Sequence, residues 1–217
     1  MNLTPKKPTI ESLIVANVPR DLLMAMEDAL ITGTQQGAQD AGTLCKGHIA
    51  HAVGQMRHFR MNEAFSDALN AADANPTPIN GNRLVVGRIG IVSLARLNVS
   101  SHLWSNAKRS KARRQLAMLN RQIEQLVNPD LFDPCKPATV ATVFAVAVFD
   151  RAVGNPLAEL VRVDIAIPRA DMDGWLYRQP VAKVIELYDV PATLTQPDNA
   201  IPVLKTSIEL PKQQSKR

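Results

Sequence analysis

Residues 75–82, Asn-Pro-Thr-Pro-Ile-Asn-Gly-Asn, constrain the fold of this 217-residue chain more than any other stretch. Pro76 and Pro78 cannot donate backbone hydrogen bonds, and each pushes the residue before it out of helical geometry. Asn80-Gly81 favours a tight turn. Helical periodicity must therefore stop here. The chain divides into a helical N-terminal part (1–75), an α+β domain (83–211) and a basic tail (212–217).

In the first part, residues 1–9 read as a loose arm, with Pro5 and Pro8 around Lys6 and Lys7. Asn17-Val18-Pro19 supplies a cap and an early proline for a helix carrying Leu22, Leu23, Met26, Ala29 and Leu30. Thr32-Gly33 is expected to close it. A second helix is expected over residues 43–74, broken near Arg60, with Ile49, Val53, Met56 and Phe59 as its stripe and Phe65, Ala68 and Leu69 continuing it.

Beyond the boundary, Arg83–Val99 reads as one or two strands and Ser105–Val127 as a helix stopped by Asn128-Pro129. Thr139–Phe149 has the Val, Ala, Thr and Phe content of a buried strand. Asp150–Pro156 reads as a hairpin loop. Glu159–Ile167 alternates, with Val161, Val163, Ile165 and Ile167 on one face. Asp171–Arg178 is expected as a short helix or loop, Ala182–Tyr188 as a third strand and Pro202–Leu210 as a fourth. The fold class is α+β: a helical N-terminal part followed by a strand–helix–antiparallel meander sheet.

Charge is distributed unevenly across these parts. Between Asp73 and Glu124 there is no acidic residue, yet nine basic ones occur: Arg83, Arg88, Arg96, Lys108, Arg109, Lys111, Arg113, Arg114 and Arg121. That leaves 16 of the 25 Lys and Arg to face 20 Asp and Glu, so an acidic body carries a basic strand–helix stripe. Such a stripe suits an anionic partner. Lys108, Arg109 and Lys111 crowd the expected helix start, the positive end of the macrodipole, where cations are unfavourable. Free N–H groups there suit phosphate. The nine residues are therefore read as gripping the phosphate backbone of DNA or RNA, in a protein that is a non-catalytic subunit of a larger assembly. The alternative for the same stripe is an adaptor role, binding an acidic protein. The N-terminal helices, rich in Met and small residues, offer a face for protein partners.

An enzymatic alternative is a nuclease. A metal-dependent one would draw on Asp150, Glu159, Asp164 and Glu186, with Asp164 and Glu186 expected on adjacent strands. Against it, the Glu-x-Lys pattern of restriction-like nucleases is missing, and Arg162 is expected to pair with Glu186. The order strand–helix–three strands resembles that of RelE-like ribonuclease toxins. A metal-free ribonuclease of that kind would rely on the arginines, His102 and Tyr177. Cys45, His48, His51 and His58 share ligand chemistry, and the three histidines share one helical arc, but their spacing is loose, and no metal site is assigned. Walker A, Gly-x-Gly-x-x-Gly, His-Glu-x-x-His and Gly-x-Ser-x-Gly motifs are all missing, so no cofactor is expected. Gly87 and Gly90 read as a bulge or a close backbone approach.

Apolar residues make up 46% of the chain, enough for a core without disulfides. Cys45 and Cys135 define no disulfide framework and fit a reducing compartment. The N-terminus lacks the apolar segment of a signal peptide. The longest apolar run, Ala138–Phe149, falls short of the roughly 20 residues needed to span a bilayer. A cytoplasmic protein without a membrane partner is expected.

Overall fold

A computed structural model describes residues 9–100, 105–127, 137–151 and 157–189. The architecture is α+β, as the sequence implies. Three N-terminal helices, α1 (Ile10–Asn17), α2 (Arg20–Gly42) and α3 (Lys46–Ala71), precede a mixed sheet. Its strands are β1 (Val86–Ile89), β2 (Val92–Ser100), β3 (Ala141–Asp150), β4 (Glu159–Pro168) and β5 (Trp175–Pro180), lying in sequence order. All neighbours are antiparallel except β2 and β3, which run parallel. A parallel pair needs a crossover. Here a 3-10 turn (Ser105–Arg109), α4 (Lys111–Met118) and α5 (Arg121–Val127) contribute to it. The last helix is α6 (Val181–Glu186).

α1 escaped the sequence reading although it carries a capping box. Ser12 N donates to Thr9 Oγ1 at 3.1 Å, and Thr9 N donates to Ser12 Oγ at 2.9 Å. The third position holds Ser rather than Glu or Gln, which makes the box hard to see in sequence. α2 runs eleven residues past the expected stop at Ile31 because Gly33 and Gly37 are notches, not breakers. A Cβ on Gly33 would lie 2.6 Å from Met61 Cα, and one on Gly37 would lie 2.4 Å from Arg57 N. The two helices touch backbone to backbone there. α3 passes through Arg60 unbroken, and Arg60 instead bridges Asp40 at 2.6 Å and Glu63 at 3.0 Å.

Core packing uses both faces of the sheet. Leu94, Val143, Ala145, Val163, Ile165 and Ile167 meet Leu23, Met26, Leu30, Met61, Phe65 and Leu69 from the helices. On the other face Leu97, Phe144, Val146 and Ala166 pack with Ala107 and Ala117 from the crossover. Alternation in β4 breaks at Val161, expected inside but 57% exposed. Val148 opposes Arg162 and Phe149 opposes Leu160, so Val161 is the extra residue of a bulge and Leu160 turns inward in its place. Gly87 does mark a close approach, since a Cβ there would meet Leu69 at 2.6 Å. Gly90, at φ +53°, makes the β1–β2 turn.

Two further expectations are corrected. The single helix over 105–127 is divided, because the fully buried Asn120 turns its side chain outward from the crossover. Asn120 Oδ1 accepts from Thr142 N at 2.7 Å, and its Nδ2 donates to Pro168 O at 3.0 Å, stitching the α4–α5 corner to β3 and β4. Downstream, strand and helix exchange places: Trp175–Pro180 is a strand, and the expected strand at 182–188 begins as α6. Pro180 has no N–H to extend the ladder, and Val181 and Val184, three apart, bury on one helical face. The arm at 1–8, the loop at 152–156, the strand at 202–210 and the tail at 212–217 lie outside the described residues. Among those described, no helix is long and apolar enough to cross a membrane.

Candidate functional site

β1 is shorter than β2. Their pairing ends at Val86 opposite Ala95, so β2 from Arg96 onward leaves its outer edge without a β1 partner. α3 approaches this edge from one face and the start of α4 from the other. Between them opens a cleft of about 1160 Å³. His58 of α3 and Arg83, Leu84 and Val86 form one side. Lys111, Arg113, Leu116 and Leu119 form the other. Among the described residues no acidic side chain lines it. Gln55 Nε2 donates to Asn82 Oδ1 at 2.9 Å and ties the 82–84 segment to α3. Ser110 caps α4, accepting from Arg113 N through its hydroxyl.

Behind His58 stands Arg96, only 2% exposed. A buried cation ordinarily carries a carboxylate. The bonds described for Arg96 go to neutral groups instead: Asn62 Oδ1 at 2.8 Å, Asn98 Oδ1 at 3.0 Å, His58 O at 2.7 Å and His58 Nδ1 at 3.0 Å. Burial, then the charge of Arg113, lowers its pKa to about 10, so it stays protonated at neutral pH. Burial also lowers the pKa of Arg113. Two guanidinium charges thus sit close together at one end of the cleft, without a carboxylate among the contacts described.

The nine basic residues of the stripe separate by position. Arg83, Lys111 and Arg113 line the cleft. Arg109 on the 3-10 turn and Arg114 on α4 are exposed next in sequence to lining residues, and Arg88 and Arg121 are exposed elsewhere; none of the four lines the cleft. Lys108 is neutralised by Asp173, which faces it from the β4–β5 turn. Arg96 is the correction to the gripping set: from its buried position it supports His58 and does not reach solvent. His58 and Asn62 were missed as members of this site. They lie 38 and 34 positions from Arg96, and nothing local in sequence announces such a contact.

The other candidates are not gathered into a site. Asp164 is 1% exposed and holds Arg162 Nε at 2.9 Å and Arg178 Nε at 2.7 Å. Glu186 lies on α6 and pairs with Lys183, so it neither shares a strand pair with Asp164 nor meets Arg162. Among the described residues no group of three or more His, Cys, Asp or Glu side chains is placed to hold a metal ion, and Cys45 is exposed. Tyr177 is partly buried between sheet and helices, where desolvation and then Glu11 push its pKa to about 12. His102, Trp104 and Cys135 lie outside the described residues.

His58 has a pKa lowered by burial, then by Arg96 and Arg113. Arg96 Nη2 lies 3.0 Å from Nδ1 and a guanidinium can only donate, so Nδ1 is the accepting nitrogen of the neutral ring, and a second ring proton placed there would oppose the guanidinium. The folded state keeps His58 neutral, whereas the unfolded chain protonates it below about pH 6.5. Its contribution to stability is therefore present above that pH and is lost as pH falls through it toward the lower folded value. Urea unfolding at about pH 7.5 and about pH 5.5 is expected to show a larger acid loss in the wild type than in His58→Gln. An equal loss would mean that His58 is not the titrating group.

No family model, curated protein or solved structure matches this chain.

Proposed function

We propose that this chain binds nucleic acid through the cleft at the open edge of β2, without catalysing a reaction on it. The observation that carries the reading is a concave site lined by Arg83, Lys111 and Arg113, free of acidic lining among the described residues and backed by a buried arginine bonded to neutral groups. A surface kept soluble by mixed charge would intersperse acids there. Here Asp28, Glu63 and Asp67 collect instead along the outer groove of α2 and α3. Phosphates in the cleft would supply the negative charge that its own side chains lack. Arg109 and Arg114 extend the grip along a backbone.

Fluorescence anisotropy with labelled DNA and RNA at several salt concentrations tests this. Binding is expected to weaken with log[salt] at a slope of roughly −0.7 to −0.9 per phosphate contacted. The double variant Arg83→Glu/Arg113→Glu is expected to lose at least about tenfold in affinity and to flatten that slope by roughly two contacts. Failure of the wild type to bind at low salt, or identical slopes in both proteins, would sink the reading. A stable complex with an acidic protein that survives nuclease treatment would point to the adaptor role instead.

A further inference from the structure

The cleft is not purely cationic. Leu84, Val86, Leu116 and Leu119 line its walls, and the His58 ring is presented beside them. The ring is held from behind: Arg96 Nη2 bonds its Nδ1, and Phe59 meets it edge-on with centroids 5.9 Å apart. Arg96 is thus a positioning residue for an uncharged, fixed aromatic ring. The charged groups Arg83, Lys111 and Arg113 accompany these apolar walls from both sides of the cleft.

Duplex DNA and RNA keep their bases stacked and offer an outer surface of phosphate and sugar. Such a surface matches an even basic face and gains nothing from an apolar-walled cavity. Unstacked bases are what an apolar slot with a ring platform can hold, while the adjoining phosphates meet cations. At about 1160 Å³ the cleft is large enough for a nucleobase and its sugar.

Building on the nucleic-acid reading, we propose that the ligand of this cleft is single-stranded. One base enters between Leu84, Val86, Leu116 and Leu119 against the ring of His58, and Arg83, Lys111 and Arg113 hold the phosphates on either side of it. The base loses its stacking on neighbouring bases and regains apolar contact in the slot. The neutral His58 ring provides a face for it without adding charge.

The test compares oligothymidylate and oligouridylate of about 15 nucleotides with a duplex of the same length at matched ionic strength, using the full chain. Single strands are expected to bind at least about tenfold more tightly than duplex. His58→Ala is expected to weaken single-strand binding by roughly tenfold while leaving its salt slope unchanged, because the ring contributes stacking and no counterion release. A single strand carrying 2-aminopurine needs no variant: its emission is expected to change on binding as the base leaves its neighbours. Duplex binding as tight as or tighter than single-strand binding would overturn this inference and leave the broader reading standing. So would an unperturbed 2-aminopurine signal on a bound strand, or unchanged affinity in a folded His58→Ala. Absence of binding to every nucleic acid would overturn both.

Discussion

Alanine at Gly37 is expected to destabilise the protein by roughly 1–3 kcal/mol, and alanine at Gly54 to stabilise it by about 0.5–1 kcal/mol. Both glycines lie inside long helices, α2 and α3, where a helix interior ordinarily favours alanine. Their surroundings differ. A Cβ on Gly37 would sit 2.4 Å from Arg57 N and 2.5 Å from Arg57 Cα, both backbone atoms of a packed helix that cannot rotate away as a side chain can. Nothing lies within 4 Å of a Cβ on Gly54. At Gly37 the propensity gain is outweighed because the two helices must move apart along much of their contact, loosening Leu30, Met61 and Phe65 beneath. Urea midpoints measured side by side check the pair. A Gly37→Ala midpoint no lower than that of the wild type would mean that the α2–α3 approach is looser than the structure has it, and a lowered Gly54→Ala midpoint would overturn the second expectation.

Asp164→Asn is expected to cost about 3 kcal/mol, the lower end for breaking a buried ion pair. The carboxylate sits with its side chain 2% exposed and each oxygen committed to a different arginine. Asparagine keeps the size but sets an NH2 group against a guanidinium that can only donate. The cost stays near the lower end because Arg162 and Arg178 keep 50% and 26% of their side-chain surface in water and can be rehydrated. Arg178 also lies over the Trp175 ring, 5.4 Å from its centroid, so loss of Asp164 is expected to disturb the β4–β5 edge as a unit. Thermal unfolding followed by Trp fluorescence reads this directly. A variant as stable as the wild type would show that the triad contributes little. A divalent cation at Asp164 would have to displace two guanidinium groups, which bears against the metal-nuclease alternative at this residue.

Much of the fold was legible from backbone chemistry alone. Pro76, Pro78 and Asn80-Gly81 separate helices from sheet, and the Val-rich runs at 139–149 and 159–167 mark strands that pair in the meander. Three of the misreadings share one cause. Gly33, Asn120 and Pro180 each carry a local signal whose meaning depends on what stands opposite in space. Gly33 looks like a stop and is a point of contact, Asn120 looks like an ordinary helical polar residue and is a fully buried clasp, and Pro180 moves a strand-to-helix boundary. The candidate site was legible as charge but not as geometry. The acid-free interval contains Arg83, Lys111 and Arg113, which the structure places around one cleft. Arg96, set between Ala95 and Leu97, looked no different from the rest of the stripe, because its burial depends on Asn62 and His58 from a helix far earlier in the chain.

The parallel pairing at the sheet centre bears on how the chain assembles. Val92 meets Ala141 and Ser100 meets Phe149, so the first β2–β3 bond forms only after the whole intervening segment has been looped back. That closure is an entropic cost met before any contact rewards it. The α2–α3 hairpin has its partners close in sequence and can form ahead of this step, presenting Met61, Phe65 and Leu69 as a surface on which the central strands collapse. The two glycine notches that let those helices touch therefore bear on the rate at which the sheet is reached as well as on the stability of the finished fold.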